Sequence, residues 1–222
     1  KDGNAIKLVA PDPTGAQIAV LGRPTQGAIQ MHLVNFADGS SNALDAEQSP
    51  NPVCEAVGAR LEPLQFAWSP DGATLYTLYH SYFLANRGSC MVGAEIYLYL
   101  RNLNEGKLDI RNVVLDAFRF PEGDEPDTIW CMAPLPQMAL APDGKTAAVS
   151  FCNSRVVTYG VDGQKIKLGN NSKSLQQRLE KAGFSPSHNG HLAFDRASNV
   201  YAALGFTGGL ATTHVVRLSP RL

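Results

Sequence analysis

Four groups of residues have types and spacings that could do chemistry. His188-Asn189-Gly190-His191 sets two imidazoles close together, and histidine serves as general base, metal ligand or haem ligand. Glu122-Gly123-Asp124-Glu125-Pro126-Asp127 gathers carboxylates in a turn-rich loop. Such oxygen-rich loops hold Ca²⁺, with Asp124 and Asp127 as the candidate ligands, although the spacing matches no EF-hand. Cys54, Cys90, Cys131 and Cys152 are candidates for disulfides, and Tyr82 with Phe83 for a contact patch. Each group has a plainer alternative: a structural histidine bonded to a neighbouring loop, a solvated acidic loop, buried free thiols, and aromatics packed between sheets. Other signatures are missing. There is no Gly-x-Ser-x-Gly elbow, no His-Glu-x-x-His, no Cys-x-x-Cys pair for zinc and no Cys-x-x-Cys-His haem attachment. Gly205-Phe206-Thr207-Gly208-Gly209 follows a strand-like run but opens no helix, which argues against a phosphate cradle.

The elements that must position these groups repeat along the chain. Each of four segments runs from an apolar stretch through a tight turn into a second apolar stretch. Ile6 to Ala10 leads into Pro11-Asp12-Pro13-Thr14-Gly15, and Leu64 to Trp68 into Ser69-Pro70-Asp71-Gly72. Gln137 to Leu140 leads into Ala141-Pro142-Asp143-Gly144, and His191 to Phe194 into Asp195-Arg196-Ala197-Ser198. Proline presets φ, aspartate bonds back to the backbone, and glycine takes the positive φ that closes a hairpin. On this pattern Asp12, Asp71, Asp143 and Asp195 are the equivalent anchors.

Further strand-like runs complete each unit. The second unit adds Glu95 to Leu100 and Leu108 to Leu115, and the third adds Arg155 to Tyr159 and Gln164 to Leu168. The first adds Ile29 to Phe36 and a weak fourth strand near Leu44. The sequence therefore predicts an all-β chain of four-stranded antiparallel meanders, a radial array of which is a β-propeller. The expected blades are 5–46, 63–118, 135–169 and 188–222 of a single domain, 1–222, with a short helix near 174–182. A β-sandwich with Asp-Gly hairpins is the architectural alternative.

Trp68-Ser69-Pro70-Asp71-Gly72 and Leu140-Ala141-Pro142-Asp143-Gly144-Lys145 resemble the inner hairpin of TolB-type and YVTN-type propeller repeats. Leu192-Ala193-Phe194-Asp195 with Asn199-Val200-Tyr201-Ala202-Ala203 is similar to an NHL or gluconolactonase-type repeat. The resemblance implies a fold and leaves the chemistry open, since such propellers include lactonases, dehydrogenases, lyases and binding scaffolds. The His-Asn-Gly lead at 188–190 also resembles quinone-dependent sugar dehydrogenases, which implies a base at His188 or His191; the matching cofactor-binding Arg and Asn set is absent.

In a meander the start of the first strand and the end of the second meet at one edge. The natural sulfur pairs are therefore Cys54 with Cys90 and Cys131 with Cys152. Disulfides imply an oxidising compartment, periplasmic or extracellular.

The last unit supplies strands near His191, Val200 and Val215 and no fourth. Three alternatives stand, in this order: a larger ring of about six to eight blades, a partner polypeptide that supplies strands, or a compact four-bladed ring with an irregular last blade.

Charge bounds the partners. The 222 residues carry 19 Lys and Arg against 20 Asp and Glu, a net charge of −1, which argues against nucleic-acid binding. No apolar run reaches the roughly 20 residues of a membrane helix, and Lys1-Asp2-Gly3 reads as the start of a mature or cut segment. Hydrophobic residues at 44% are enough for a packed core. Two functions follow as expectations. The first is a secreted or periplasmic propeller that binds a protein or ligand or serves as a subunit of a complex. The second is a propeller enzyme of quinoprotein or lactonase type, with its site at the central channel on the disulfide-bearing face, its cofactor open and Ca²⁺ one candidate.

Overall fold

The short polar turns decide where the chain doubles back. The computed structural model describes residues 5–23, 30–44, 60–83, 93–103, 111–119, 136–150, 156–162, 165–171, 186–206 and 212–218. Its first turn joins β1 (Ala5–Pro11) to β2 (Gln17–Arg23). There the Asp12 N–H donates to the Gln17 carbonyl at 3.0 Å, and the Gly15 N–H to the Asp12 carbonyl at 3.1 Å. Gly15 sits at φ 75°, the left-handed region that a four-residue loop built on a type I turn requires. The same pair of bonds recurs from Ser69 to Thr74 and Gly72, and from Ala141 to Thr146 and Gly144. Asp195 repeats it with a loop one residue shorter, and Ser198 takes the glycine's place at φ 59°.

This register corrects the alignment of the turns. The position of Asp12 is held by Ser69, Ala141 and Asp195, whereas Asp71 and Asp143 stand two residues further on. The reason lies in the acceptors. The Asp12 carboxylate takes the N–H groups of Thr14, Gly15 and Gln17 and the Thr14 hydroxyl. In the second turn the task is divided: Ser69 Oγ accepts from Thr74 N–H, while Asp71 accepts the Ser69 hydroxyl and Ala73 N–H. An aspartate at either position can secure the turn, so the Asp-Gly pattern slides by two.

Among the described residues four antiparallel sheets result. β3 (Gln30–Asn35) and β4 (Ser41–Leu44) complete the first, in the order β1-β2-β3-β4. The second is β5 (Arg60–Trp68), β6 (Thr74–Phe83), β7 (Gly93–Asn102) and β8 (Arg111–Arg119), in that order. The third is β9 (Gln137–Leu140), β10 (Thr146–Ser150), β11 (Val156–Asp162) and β12 (Lys165–Asn171). The fourth has three strands, β13 (Pro186–Phe194), β14 (Val200–Phe206) and β15 (Thr212–Leu218), ordered as in the chain. Each is a meander, and the last has three strands among the described residues. The predicted helix near 174–182 and all four cysteines lie outside the described residues.

The chain divides into two units, Lys1–Phe120 and Pro121–Leu222, each holding two sheets. In the first unit Ala19, Leu21 and Met31 of one sheet share a core with Phe66, Trp68 and Leu75 of the next, and β1 lies beside β5. The Trp68 indole N–H donates to the Ala10 carbonyl at 2.9 Å, so the largest side chain of the contact is also tied down by its polar atom. In the second unit Ala148 and Val156 share a core with Val200 and Ala202, and β13 lies beside β9.

Register shows that both contacts have one sense. Ala10, Ala67, Ala139 and Ala193 all stand two residues before the turn anchor of their inner strands. Across the first sheet Ala10 faces Ala19, which faces Leu33. In the third sheet Ala139 faces Ala148, which faces Thr158. This alanine-bearing face of one sheet meets the opposite face of the next, which carries larger groups: Phe66, Trp68 and Leu75 in the second sheet, Leu192, Phe194 and Val200 in the fourth. Small residues let the backbones approach, and large ones fill the space opposite. Both faces of the second and third sheets are buried. Leu75, Thr77 and Tyr99 cover one side of the second sheet and Tyr76, Leu78, Leu98 and Leu100 the other.

The turn carboxylates give this fold a pH dependence. Burial pushes Asp12 upward, but the bonds from Thr14, Gln17 and Gly15 outweigh it and hold the group below the usual 3.8. Bonds from Ser69 and Ala73 lower Asp71, and bonds chiefly from Asn199 lower Asp195. A carboxyl depressed in the folded state stabilises above its unfolded value and loses that contribution as pH falls through its folded one. Thermal melts should therefore show a plateau near neutrality and a falling Tm as the pH drops below about 4. A Tm that rises on acidification would contradict this.

Candidate functional site

The inner strands β1, β5 and β13 are interrupted at one place. Pairing shifts between Ile6 and Leu8, between Pro63 and Gln65, and between Asn189 and Leu192. Counted from the turn anchors, Lys7, Leu64 and Gly190 occupy the same position, five residues ahead of the anchor. An extra residue bends a strand, increases its twist and re-aims a side chain, which is why bulges gather at rims and next to sites. A bulge recurring at one step of the repeat therefore marks the end of the sheets opposite the polar turns as the place where side chains can leave the regular pattern.

The sequence-chosen histidines fall there. They are part of β13 itself, not of a lead into it. His188 pairs with Gly205, and His191 belongs to the bulge, where its side chain is exposed. Tyr82 and Phe83, in the other unit, close β6 at the corresponding end, Tyr82 opposite Arg60 and Ala94 and Phe83 opposite Gly93. They are strand residues and not part of a loop. Asp124 and Asp127, the proposed Ca²⁺ ligands, lie outside the described residues, as do Cys54, Cys90, Cys131 and Cys152. Among the described residues no cluster of three or more histidine, cysteine or acidic side chains is placed to hold a metal.

Sequence reasoning missed a second set of residues, those on the outward faces of the first and fourth sheets. On the first sheet Ile6 is 65% exposed and Val9 51%, with Ile18, Val20 and Val34 half-buried beside them. His32 lies on this face, its Nδ1 3.1 Å from Ser41 Oγ. On the fourth sheet Val215 is 71% exposed, beside Ala193, Tyr201 and Ala203. Arg217 flanks it and donates to Asn199 Oδ1 at 2.8 Å. The signal was present in the alternation of Ile18, Val20 and of Val9, Pro11, but it could not be told from core alternation without the packing.

Polar groups are also buried inside the second sheet. His80 and Arg101 are almost fully enclosed, on opposite faces of the sheet by register. Tyr76 is buried beside Asp71, and burial first, then that charge, pushes its phenol up to about 12.

Repeated four-stranded meanders, one turn register and one packing sense define an all-β protein that resembles β-propellers in fold. Comparison with solved structures finds distant likenesses. It is similar to a prolyl endopeptidase at 17% identity, covering 99% of this chain and 28% of that one, with a TM-score of 0.51. It is also similar to the β-propeller domain of Cps50 (Swd1) from Myceliophteria thermophila, at 12% identity over 91% of this chain and 55% of that one, TM-score 0.49. A third is the periplasmic gluconolactonase PpgL of Pseudomonas aeruginosa, at 13% identity over 97% of this chain and 71% of that one, TM-score 0.40. The chain thus spans well under two thirds of the first two. At these identities the likeness is one of fold alone. No family model and no curated protein matches the chain.

Proposed function

We propose that the chain is a β-propeller scaffold working outside the cytoplasm, whose task is to bind a protein. One observation carries the reading. Its second and third sheets carry buried residues on both faces, while its first and fourth sheets each keep an apolar face exposed, at Ile6 and Val9 and at Val215. Contiguous exposed apolar groups on a sheet mark surfaces meant for contact with another macromolecule. The acids of the polar turns support the same reading, because Asp12, Asp71, Asp143 and Asp195 are engaged by the backbone of their own loops. Disulfides Cys54–Cys90 and Cys131–Cys152 and a secreted or periplasmic location belong to this proposal, as does Tyr82 with Phe83 as a contact patch.

A second reading, an enzyme of lactonase or quinoprotein dehydrogenase type with His188 or His191 as base and Ca²⁺ at Asp124 and Asp127, is favoured by one feature. His191 is exposed in a strand bulge, the kind of place where a catalytic side chain is presented. Turnover decides between them. A panel of lactones, and of aldoses with a quinone cofactor and Ca²⁺, should react no faster with the chain than without it. Turnover that falls about 100-fold or more in His191→Ala or His188→Ala would install the enzyme reading.

A further inference from the structure

Asn189-Gly190 is the one Asn-Gly pair in the sequence. Such a pair is chemically labile, because the glycine nitrogen can attack the side-chain carbonyl carbon with no Cβ of its own to obstruct the approach. Regular strand pairing opposes that attack by holding the backbone extended. Asn189 pairs with Leu204, but the next pair is Leu192 with Ala202, so Gly190 and His191 together oppose Ala203. The ladder is therefore broken at the residue that carries the nucleophile. His191, next to it in the bulge, is exposed, so water reaches the segment.

The Asp-Gly turns carry the same hazard and are built against it. Asp38-Gly39, Asp71-Gly72 and Asp143-Gly144 could each close the same ring. In all three the glycine N–H donates to a carbonyl, that of Asn35, Ser69 or Ala141, at 2.9 Å. The aspartate Oδ1 in turn accepts the N–H two residues on, from Ser40 at 2.8 Å, Ala73 at 3.0 Å and Lys145 at 2.8 Å. Bonds from Ser40 hold Asp38 below its ordinary value, and bonds from Ser69 and Ala73 do the same for Asp71, which keeps both as carboxylates, poor targets for a nucleophile. Asn199 is occupied as well: its Nδ2 donates to Asp195 Oδ2 and its Oδ1 accepts from Arg217, each at 2.8 Å.

We propose that Asn189-Gly190 is a self-modification site of the folded chain, where a succinimide forms and opens to leave aspartate or isoaspartate. The Gly190 nitrogen bonds to Asn189 Cγ and gives up its proton, the bond from Cγ to the side-chain nitrogen breaks, and ammonia leaves. Water then adds to one of the two ring carbonyls, and the bond from that carbon to the ring nitrogen breaks. Opening at one carbonyl gives aspartate, and at the other isoaspartate. In sum asparagine and water become an acid and ammonia, with no change of oxidation state and no reactant beyond solvent. The product places a negative charge between His188 and His191 in sequence and takes the net charge from −1 to −2. The proposal goes beyond the scaffold reading and does not depend on it.

The test is to hold the full chain in warm, mildly alkaline buffer and follow each site by peptide mapping, with isoaspartate detected by enzymatic methylation. Asn189 should convert at least about 10-fold faster than Asn199 or any of the three Asp-Gly pairs, and within about 10-fold of its own rate in guanidinium chloride. The Asp-Gly pairs should accelerate in the denaturant, where their turns are lost. Gly190→Ala should slow Asn189 at least about 10-fold, since a Cβ then crowds the nucleophile. Circular dichroism matching that of the parent separates this from a change of fold, and the comparison of sites in the parent stands without the variant. Conversion of Asn189 only in the denatured chain overturns the proposal, as does a folded chain in which an Asp-Gly turn outpaces it. The scaffold reading falls on different evidence, the His-dependent turnover described above.

Discussion

Replacing Trp68 by alanine should cost the fold about 4 kcal/mol, the range for removing a large aromatic from a packed core. Trp68 is 8% exposed, shares its core with Ala19, Leu21 and Met31 of the neighbouring sheet, and donates its indole N–H to the Ala10 carbonyl. The indole is therefore both filler and tie. Trp68→Phe separates the two roles: it keeps most of the apolar volume and drops the hydrogen bond, for an expected cost of about 1–2 kcal/mol. Denaturant unfolding followed by circular dichroism gives both values, and hydrogen exchange should place the loss of protection in residues 5–119. An alanine variant as stable as the parent would mean that the first two sheets do not lean on one another through this residue.

Removing the Asp12 carboxylate should have the second largest effect, about 2 kcal/mol for Asp12→Ala. The substitution strands the N–H groups of Thr14, Gly15 and Gln17 and the Thr14 hydroxyl in one turn. Water can reach part of this loop, which keeps the cost below that of a fully enclosed anion. Asp12→Ser should recover about half of the loss, because Ser69 stands at the same position in the second sheet and holds Thr74 N–H through its hydroxyl. Asp12→Ala should also flatten the acid limb of the stability profile, since the depressed carboxyl is gone. An unchanged midpoint in Asp12→Ala would show that the turn needs only its glycine.

Much of the fold was legible from local chemistry. The four turns, the strands beside them and the weak strand at Leu44 all follow from alternation and turn residues, which act over a few positions. The equivalence of Asp12, Ser69, Ala141 and Asp195 did not, because two side-chain positions can supply the acceptor and the sequence shows only where an aspartate happens to be. Nor did Ala10 signal its role. An alanine in a strand is unremarkable until the sheet opposite is known to bring Trp68 against it, as at Ala10. Of the site, the histidines were chosen for their chemistry, and His191 lies at a recurrent bulge, a backbone feature with no side-chain signature. The exposed face at Val9 and Ile18 looked like any buried alternation, since a strand's pattern records which residues are apolar and not what covers them.

The central claim is that, within each unit, the alanine-bearing face of the earlier sheet receives the bulky face of the later one in the same sense. Proton–proton contacts in an isotope-labelled sample test it most directly. The account predicts contacts from the Trp68 indole N–H to Ala10, from Phe66 to Met31, and from Val200 to Ala148, with the indole proton slow to exchange. A rapidly exchanging indole, with Phe66 and Val200 contacting only residues of their own sheets, would contradict it.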